Sequence, residues 1–174
     1  MEKITINKAS QEDIRTLSRK LTELLKDKNS QIYQDNVAKF GIPEEYVSKV
    51  FSENTMLEAA ISGKADFYLA LMNGCEILGF AQVIQKNESL VELDRIVVFP
   101  EHARKGVGTC LLRKVLAELQ KKRIRTLVVN AGKEEIHAKR FYEKNGFKPA
   151  GETTIDTPWG HKLTLVTYKL EIDL

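Results

Sequence analysis

Leu93-Asp94-Arg95-Ile96-Val97-Val98-Phe99-Pro100-Glu101-His102-Ala103-Arg104-Lys105-Gly106-Val107-Gly108-Thr109-Cys110-Leu111-Leu112 reads as a strand, a loop and the start of a helix. The apolar run ends at Pro100, and a basic loop with two glycines comes next. Leu111, Leu112, Val115, Leu116 and Leu119 then recur at helical spacing. A strand feeding a glycine loop that opens a helix makes an anion cradle. The first helical amides have no intrahelical partner, and the helix dipole favours negative charge there. Gly106 and Gly108 keep Cβ atoms out of the path of a phosphate, and Arg104 and Lys105 add positive charge beside it. The spacing excludes the P-loop, because Gly108 is followed by Thr109-Cys110 instead of Lys-Ser/Thr. It also excludes the dinucleotide fingerprint, which needs three glycines and an acidic residue ending a following strand.

A second segment narrows the reading. Val128-Val129-Asn130-Ala131 predicts a buried strand end, and Glu134 to Asn145 a short helix closed by Gly146 and followed by Phe147. That helix contains Ala138-Lys139-Arg140-Phe141-Tyr142-Glu143-Lys144-Asn145-Gly146-Phe147. Together the two segments resemble the GNAT superfamily of acyl-CoA-dependent N-acetyltransferases. The family's loop reads Arg/Gln-x-x-Gly-x-Gly/Ala; its later helix reads Asn-x-x-Ala-x-x-hydrophobic-Tyr before Glu-Lys-x-Gly-Phe. The match runs from about residue 66 to 155, with both motifs in order and at the right distance. The chain departs from it twice. The family's first Arg/Gln falls on Ala103, with Arg104 one place later, and its Asn falls on Glu135, with Asn130 nearby but out of register.

The resemblance implies one domain over residues 1–174 of α+β (mixed α/β) class. Its core would be a single mixed, mostly antiparallel twisted sheet of about seven strands with flanking helices. It implies acetyl-CoA as cofactor, with the pantetheine arm beside the backbone of Ile96, Val97 and Val98 and a Val98 amide facing the developing oxyanion. The pyrophosphate falls on Ala103, Arg104, Lys105, Gly106, Val107, Gly108 and Thr109, and Asn130, Ala138 and Tyr142 complete the cofactor set. Tyr142, four residues before Gly146, is the expected acid for the leaving thiolate. Ala138 shares its helix face and leaves room for the cofactor.

A base must take the proton of the attacking amine. Glu92 and Asp94 alternate onto one face of the strand. Counted back from Gly106, Glu92 falls where the histone-acetylating branch of the family carries a catalytic glutamate. Asp94 is the competing assignment, and ordered water is a third route. His137 reads as a surface histidine bordering the cleft. Trp159 either lines an acceptor pocket or covers the sheet.

At 174 residues, with 43% hydrophobic and 29% charged residues, the chain fits one domain with a sizeable core. A net charge of +3, scattered along the chain, is too mild for nucleic acid and suits a polyanionic cofactor. Cys75 and Cys110 frame no disulfide scaffold, and neither they nor the three histidines show metal-ligand spacing. Met1 to Ile6 alternates like a strand without an apolar signal core, and no apolar run reaches membrane-spanning length. The expected location is cytoplasmic, with no membrane partner and no metal.

Ile4 and Ile6 mark a first strand. Ser10 with Asp13 predicts a capping box for a helix to about Lys26. A second helical piece covers roughly Gln31 to Phe40, and Pro43 opens another apolar helical run up to Gly63. Strands are expected at Phe67–Met72 and Glu76–Gln85, joined across Asn73-Gly74, then at Leu90–Phe99 and Thr126–Asn130. Phe147–Asp156 and Lys162–Leu170 predict a last hairpin. The strand–helix–strand unit over 90–130 makes a parallel pair.

The function implied is acetyl transfer from acetyl-CoA to a primary amine by direct attack in a ternary complex. The acceptor is a small amine or polyamine, or a peptide or protein amine. The alternative is a non-catalytic acyl-CoA-binding sensor or partner module. Homodimers are frequent in the family, and the final strand Lys162–Leu170 is the expected pairing edge.

Overall fold

Asn73 and Gly74 carry the turn that the sequence assigns to them. The computed structural model describes residues 2–174, and both residues have positive φ, 50° and 77°, where Asn and Gly cost least. The Cys75 amide donates to the Met72 carbonyl at 3.1 Å and closes the loop. The turn joins β2 (Ala65–Met72) to β3 (Glu76–Gln85), with β1 (Ile4–Lys8) and β4 (Leu90–Val98) on their outer sides. Past β4 come β5 (Thr126–Gly132), β7 (Lys162–Glu171) and β6 (Lys148–Asp156), giving a seven-stranded sheet of order β1-β2-β3-β4-β5-β7-β6. Every pairing is antiparallel except β4 with β5, which α5 (Val107–Lys121) connects as a crossover.

Each face of the sheet carries its own apolar layer. On one face, α5 buries Val107, Leu111, Leu112, Val115 and Leu119 against Val91, Leu93, Leu127 and Val129. On the other, α1 (Gln11–Leu25) buries Ile14, Leu17, Leu21 and Leu25 against Phe67, Leu69 and Phe80. The Ser10–Asp13 capping box is formed in both directions, at 3.1 and 2.9 Å. Among the described residues no helix is long and apolar enough to cross a membrane.

Two expectations need correction and one is refined. The run after Pro43 is two helices, α3 (Glu44–Val50) and α4 (Glu53–Ile61). Ser52 adopts extended backbone between them and its hydroxyl caps the Thr55 amide at 3.3 Å; a serine competing for helix amides outweighs continuous periodicity. The piece from Gln31 is α2 (Gln31–Tyr33) running into a π-helical turn, Gln34–Ala38. Finally, the last strand is not an edge. β7 lies between β5 and β6, so the first arm of the hairpin, β6, is the edge, exposed along its whole length. Returning beside β5 lets β7 bury Tyr168 in the core, which an edge position would not.

Two irregularities shape β4. It pairs with β5 only over Leu90–Glu92 against Thr126–Val128, and beyond that the two parallel strands splay into a wedge. A bulge also interrupts its pairing with β3: Leu93 faces Val83 and Arg95 faces Gln82, leaving Asp94 as the extra residue.

Candidate active site

The wedge ends at the N-terminus of α5. Cys110 N–H makes the first helical bond, to the Gly106 carbonyl at 3.0 Å, while the amides from Arg104 through Thr109 have no protein acceptor among the described residues. Successive free N–H groups at the positive end of a helix form a site for an anion. The loop is held in an unusual conformation. Gly106 has φ +77° and Arg104 φ +63°, and a side chain in that region carries backbone strain of the kind that clusters at functional sites. Gly108 is glycine for a different reason. A Cβ there would meet the Phe141 ring at 3.3 Å and Val98 Cγ2 at 3.6 Å, so its absence lets α5 approach α6 (Ile136–Lys144) and β4.

Below this terminus lies a cavity of about 530 Å³. Ile96 and Val98 of β4, Ala103, Arg104, Gly106, Val107, Gly108 and Thr109 of the loop and α5, and Ala138 and Tyr142 of α6 all line it. Val97, Lys105 and Asn130 do not. Strand alternation turns Val97 into the opposite apolar layer, and Lys105 points to solvent. Asn130 faces the other side of the sheet, where its Nδ2 donates to Glu92 Oε1 at 3.3 Å and its Oδ1 accepts from Thr167 Oγ1 at 2.6 Å. Glu135 turns back onto its own turn, accepting from the Gly132 amide at 2.8 Å and pairing with Lys39 at 3.3 Å. Phe141 and His137 also line the cavity. The sequence motifs give Phe141 no role, yet it is three residues after Ala138, a spacing that already puts both on one helix face.

Tyr142 is buried among aromatic rings, edge-on to Phe141 at 5.6 Å and Phe147 at 5.5 Å. Burial, reinforced by the negative charge of Glu135, pushes its hydroxyl up to about 12. Such a phenol keeps its proton throughout the neutral range and acts as a donor. On the strand side, Phe99 N–H donates to the Leu78 carbonyl at 2.9 Å. In an antiparallel strand the direction alternates, so the Val98 N–H points away from β3 into the wedge.

The opposite face of β4 carries the charged groups. Glu92 Oε2 pairs with Lys86 Nζ at 2.8 Å while its other oxygen accepts from Asn130, and this contact raises the Lys86 ammonium. Asp94 has no such partner. Its side chain is one-third exposed, 3.8 Å from Arg95 Nε. Burial pushes its carboxyl up, opposed by the Arg95 guanidinium. The helical layer and the β6–β7 hairpin tip meet above this face. Trp159 packs on Tyr46 with ring centroids 5.3 Å apart, and a Cβ on Gly41 would lie 3.0 Å from His161 Nε2.

Such an arrangement joins an apolar cleft between two diverging strands, capped by free amides, to a set of charged side chains on the far side of the sheet. The family described as the acetyltransferase (GNAT) domain matches residues 10–170, and the chain belongs to that family. Over 78 residues it is 31% identical to uncharacterised N-acetyltransferases of Mycobacterium bovis and Mycobacterium tuberculosis, covering 45% of this chain. It spans about half (50%) the length of these curated relatives. Solved structures of like fold include the PaiA N-acetyltransferase of Thermoplasma acidophilum in complex with coenzyme A. That protein is 24% identical with a TM-score of 0.70, over 97% of this chain and 99% of the other. YncA of Salmonella typhimurium with acetyl-CoA is 18% identical with a TM-score of 0.67, over 98% and 94%. The ribosomal-protein-S18-alanine N-acetyltransferase of Escherichia coli is 20% identical with a TM-score of 0.66, over 99% and 96%.

Proposed function

We propose that the protein transfers the acetyl group of acetyl-CoA to a primary amine within a ternary complex. The observation that carries this reading is the β4–β5 wedge capped by free amides from Arg104 to Thr109. The pyrophosphate suits those amides, and the pantetheine arm suits the unpaired edge of β4 around Ile96–Val98, where it adds like a short strand. Coenzyme A and acetyl-CoA in the Thermoplasma and Salmonella proteins of the same fold support that assignment.

The amine nitrogen attacks the thioester carbon from the Asp94 side. The developing oxyanion takes a hydrogen bond from the Val98 N–H. Asp94 receives the proton that the amine loses, and the Tyr142 hydroxyl donates to the sulfur as the C–S bond breaks. The products are the acetamide and free thiol. Glu92 is less available for this role because Lys86 and Asn130 already hold both of its oxygens. Binding both substrates in one cleft supplies the largest share of the rate through proximity.

Acetyl-CoA turnover over a panel of small amines, polyamines and peptide amines, read as free thiol, tests the reading. We expect thiol release stimulated by at least one amine class. Tight coenzyme A binding with no stimulated release from any amine would favour an acyl-CoA-binding module over an enzyme.

A further inference from the structure

Because Asp94 is the extra residue of the β4 bulge, both it and Arg95 turn toward the helical layer, away from the cavity lined by Ile96 and Val98. Arg95 is mostly buried there, its guanidinium carbon 4.9 Å from the centre of the Phe51 ring. One terminal nitrogen donates to Asn36 Oδ1 at 3.2 Å. Asn36 belongs to the π-helical turn, and its own Nδ2 donates to the Ile32 carbonyl at 2.9 Å, which fixes the amide with its oxygen toward Arg95. The arginine is therefore held from below by an aromatic ring and at its tip by an oriented amide, 59 residues away in sequence. Its Nε is buried, makes no hydrogen bond, and lies 3.8 Å from Asp94 Oδ2.

We propose that Arg95, clamped by Asn36, is a positioning residue that holds the Asp94 carboxylate at the mouth of the wedge and disfavours an ammonium beside it. This rests on the reading of Asp94 as the proton acceptor. Two effects act in the same direction. A guanidinium next to a half-buried carboxylate favours its charged form, the form that accepts a proton. The same positive charge, close to an arriving amine, favours the neutral amine over the ammonium. The other titratable groups facing the pair are Glu92 on the same strand, Lys86 just after β3 and Tyr46 from α3. Lys86 is held on Glu92 and acts on Asp94 more weakly than Arg95 does. A π-helical turn supplying the clamp is consistent with the frequent occurrence of such turns at functional sites.

The test is the pH dependence of kcat/KM with the best amine of the panel, for Arg95→Met, Arg95→Lys, Asn36→Ala, Asp94→Asn and the Arg95→Met/Asp94→Asn double variant. We expect Arg95→Met to move the ascending limb about one unit to higher pH, with rate recovered at the alkaline end. Arg95→Lys keeps a charge and moves the limb less, and Asn36→Ala moves it the same way by a smaller step. Coenzyme A affinity by calorimetry stays unchanged in all of them. In the Asp94→Asn background the share of the shift that passes through Asp94 is gone, and Arg95→Met should move the profile by less than it does in the wild type. A rate loss of equal size at every pH, with the limb in place, would show a purely structural arginine and overturn the proposal. So would a shift of undiminished size without Asp94. If Arg95→Met does not fold, an unmoved limb in both Arg95→Lys and Asn36→Ala overturns it equally. Should Asp94→Asn keep the wild-type limb, the assignment of the base itself falls, and that result is separate from a failure of the clamp alone.

Discussion

At the scale of single residues, the loop before α5 shows two glycines performing different work. Gly106 supplies a left-handed backbone with open space around it, and Gly108 supplies room for Phe141 and Val98. Gly108→Asp therefore places both a side chain against Phe141 and a negative charge among the free amides. Calorimetry on the folded variant should show loss of coenzyme A binding, and unchanged affinity would refute the cradle. Tyr142 is the second decisive residue. With its hydroxyl pushed up to about 12, it stays protonated across the working range, so no descending limb from this group is expected below about pH 10. Tyr142→Phe should lower kcat by about 10- to 1000-fold. Loss of a positioned acid typically costs 10²–10⁴, and a thiolate is a fairly good leaving group. Steady-state rates beside a coenzyme A titration would check it, and an equal rate would reduce Tyr142 to packing.

At the scale of elements, β4 is the strand on which the proposed chemistry rests. Its bulge and its divergence from β5 place an apolar cavity on one face and Asp94, Arg95 and Glu92 on the other. Because burial raises the Asp94 carboxyl, its ionised fraction, and with it the rate, should climb as pH rises through that raised value. Profiles of kcat/KM should lose this limb in Asp94→Asn and keep it in Glu92→Gln. The reverse pattern would return the role to Glu92, and two unchanged profiles would leave ordered water as the acceptor. The helical layer that supports Arg95 is itself tied down by α1. The buried Ser18 hydroxyl donates to the Phe51 carbonyl at 2.7 Å, holding the ring on which the guanidinium rests. Ser18→Ala leaves that carbonyl without this donor and should cost about 1–3 kcal/mol in chemical denaturation.

At the scale of the whole molecule, the proposed acceptor entrance would be made by parts far apart in the chain. Trp159 at the hairpin tip rests on Tyr46 of α3, His161 sits against Gly41, and Lys39 reaches Glu135 at 3.3 Å. The exposed ion pair contributes little by itself; the aromatic contact is the larger part of the roof. Trp159→Ala should raise the KM of the best amine about tenfold, the size expected when an aromatic anchor is removed. Coenzyme A affinity should stay as it was, because the cavity beneath α5 lies across the sheet. A matched loss of coenzyme A binding would place the roof on the wrong substrate.

Local signals in the sequence were sufficient for much of this protein. Asn73-Gly74, the Ser10–Asp13 box, the glycine loop and the Ala138–Tyr142 face each depend on residues within a turn or two of one another, and each folds as its chemistry requires. The mixed sheet and its parallel β4–β5 pair were legible from them, and most of the cavity lining from the family resemblance that two of them carry. Long-range pairing decided the rest. Which hairpin arm becomes the edge depends on where β7 can bury Tyr168. Whether Glu92 is free depends on Lys86, six residues back, and on Asn130 across the parallel pair. That Arg95 shares a face with Asp94 depends on a bulge, since strict alternation would have put them on opposite sides. Periodicity records which residues are apolar, but a single extra residue in a strand reverses its facing, and only the packed sheet fixes where that residue goes.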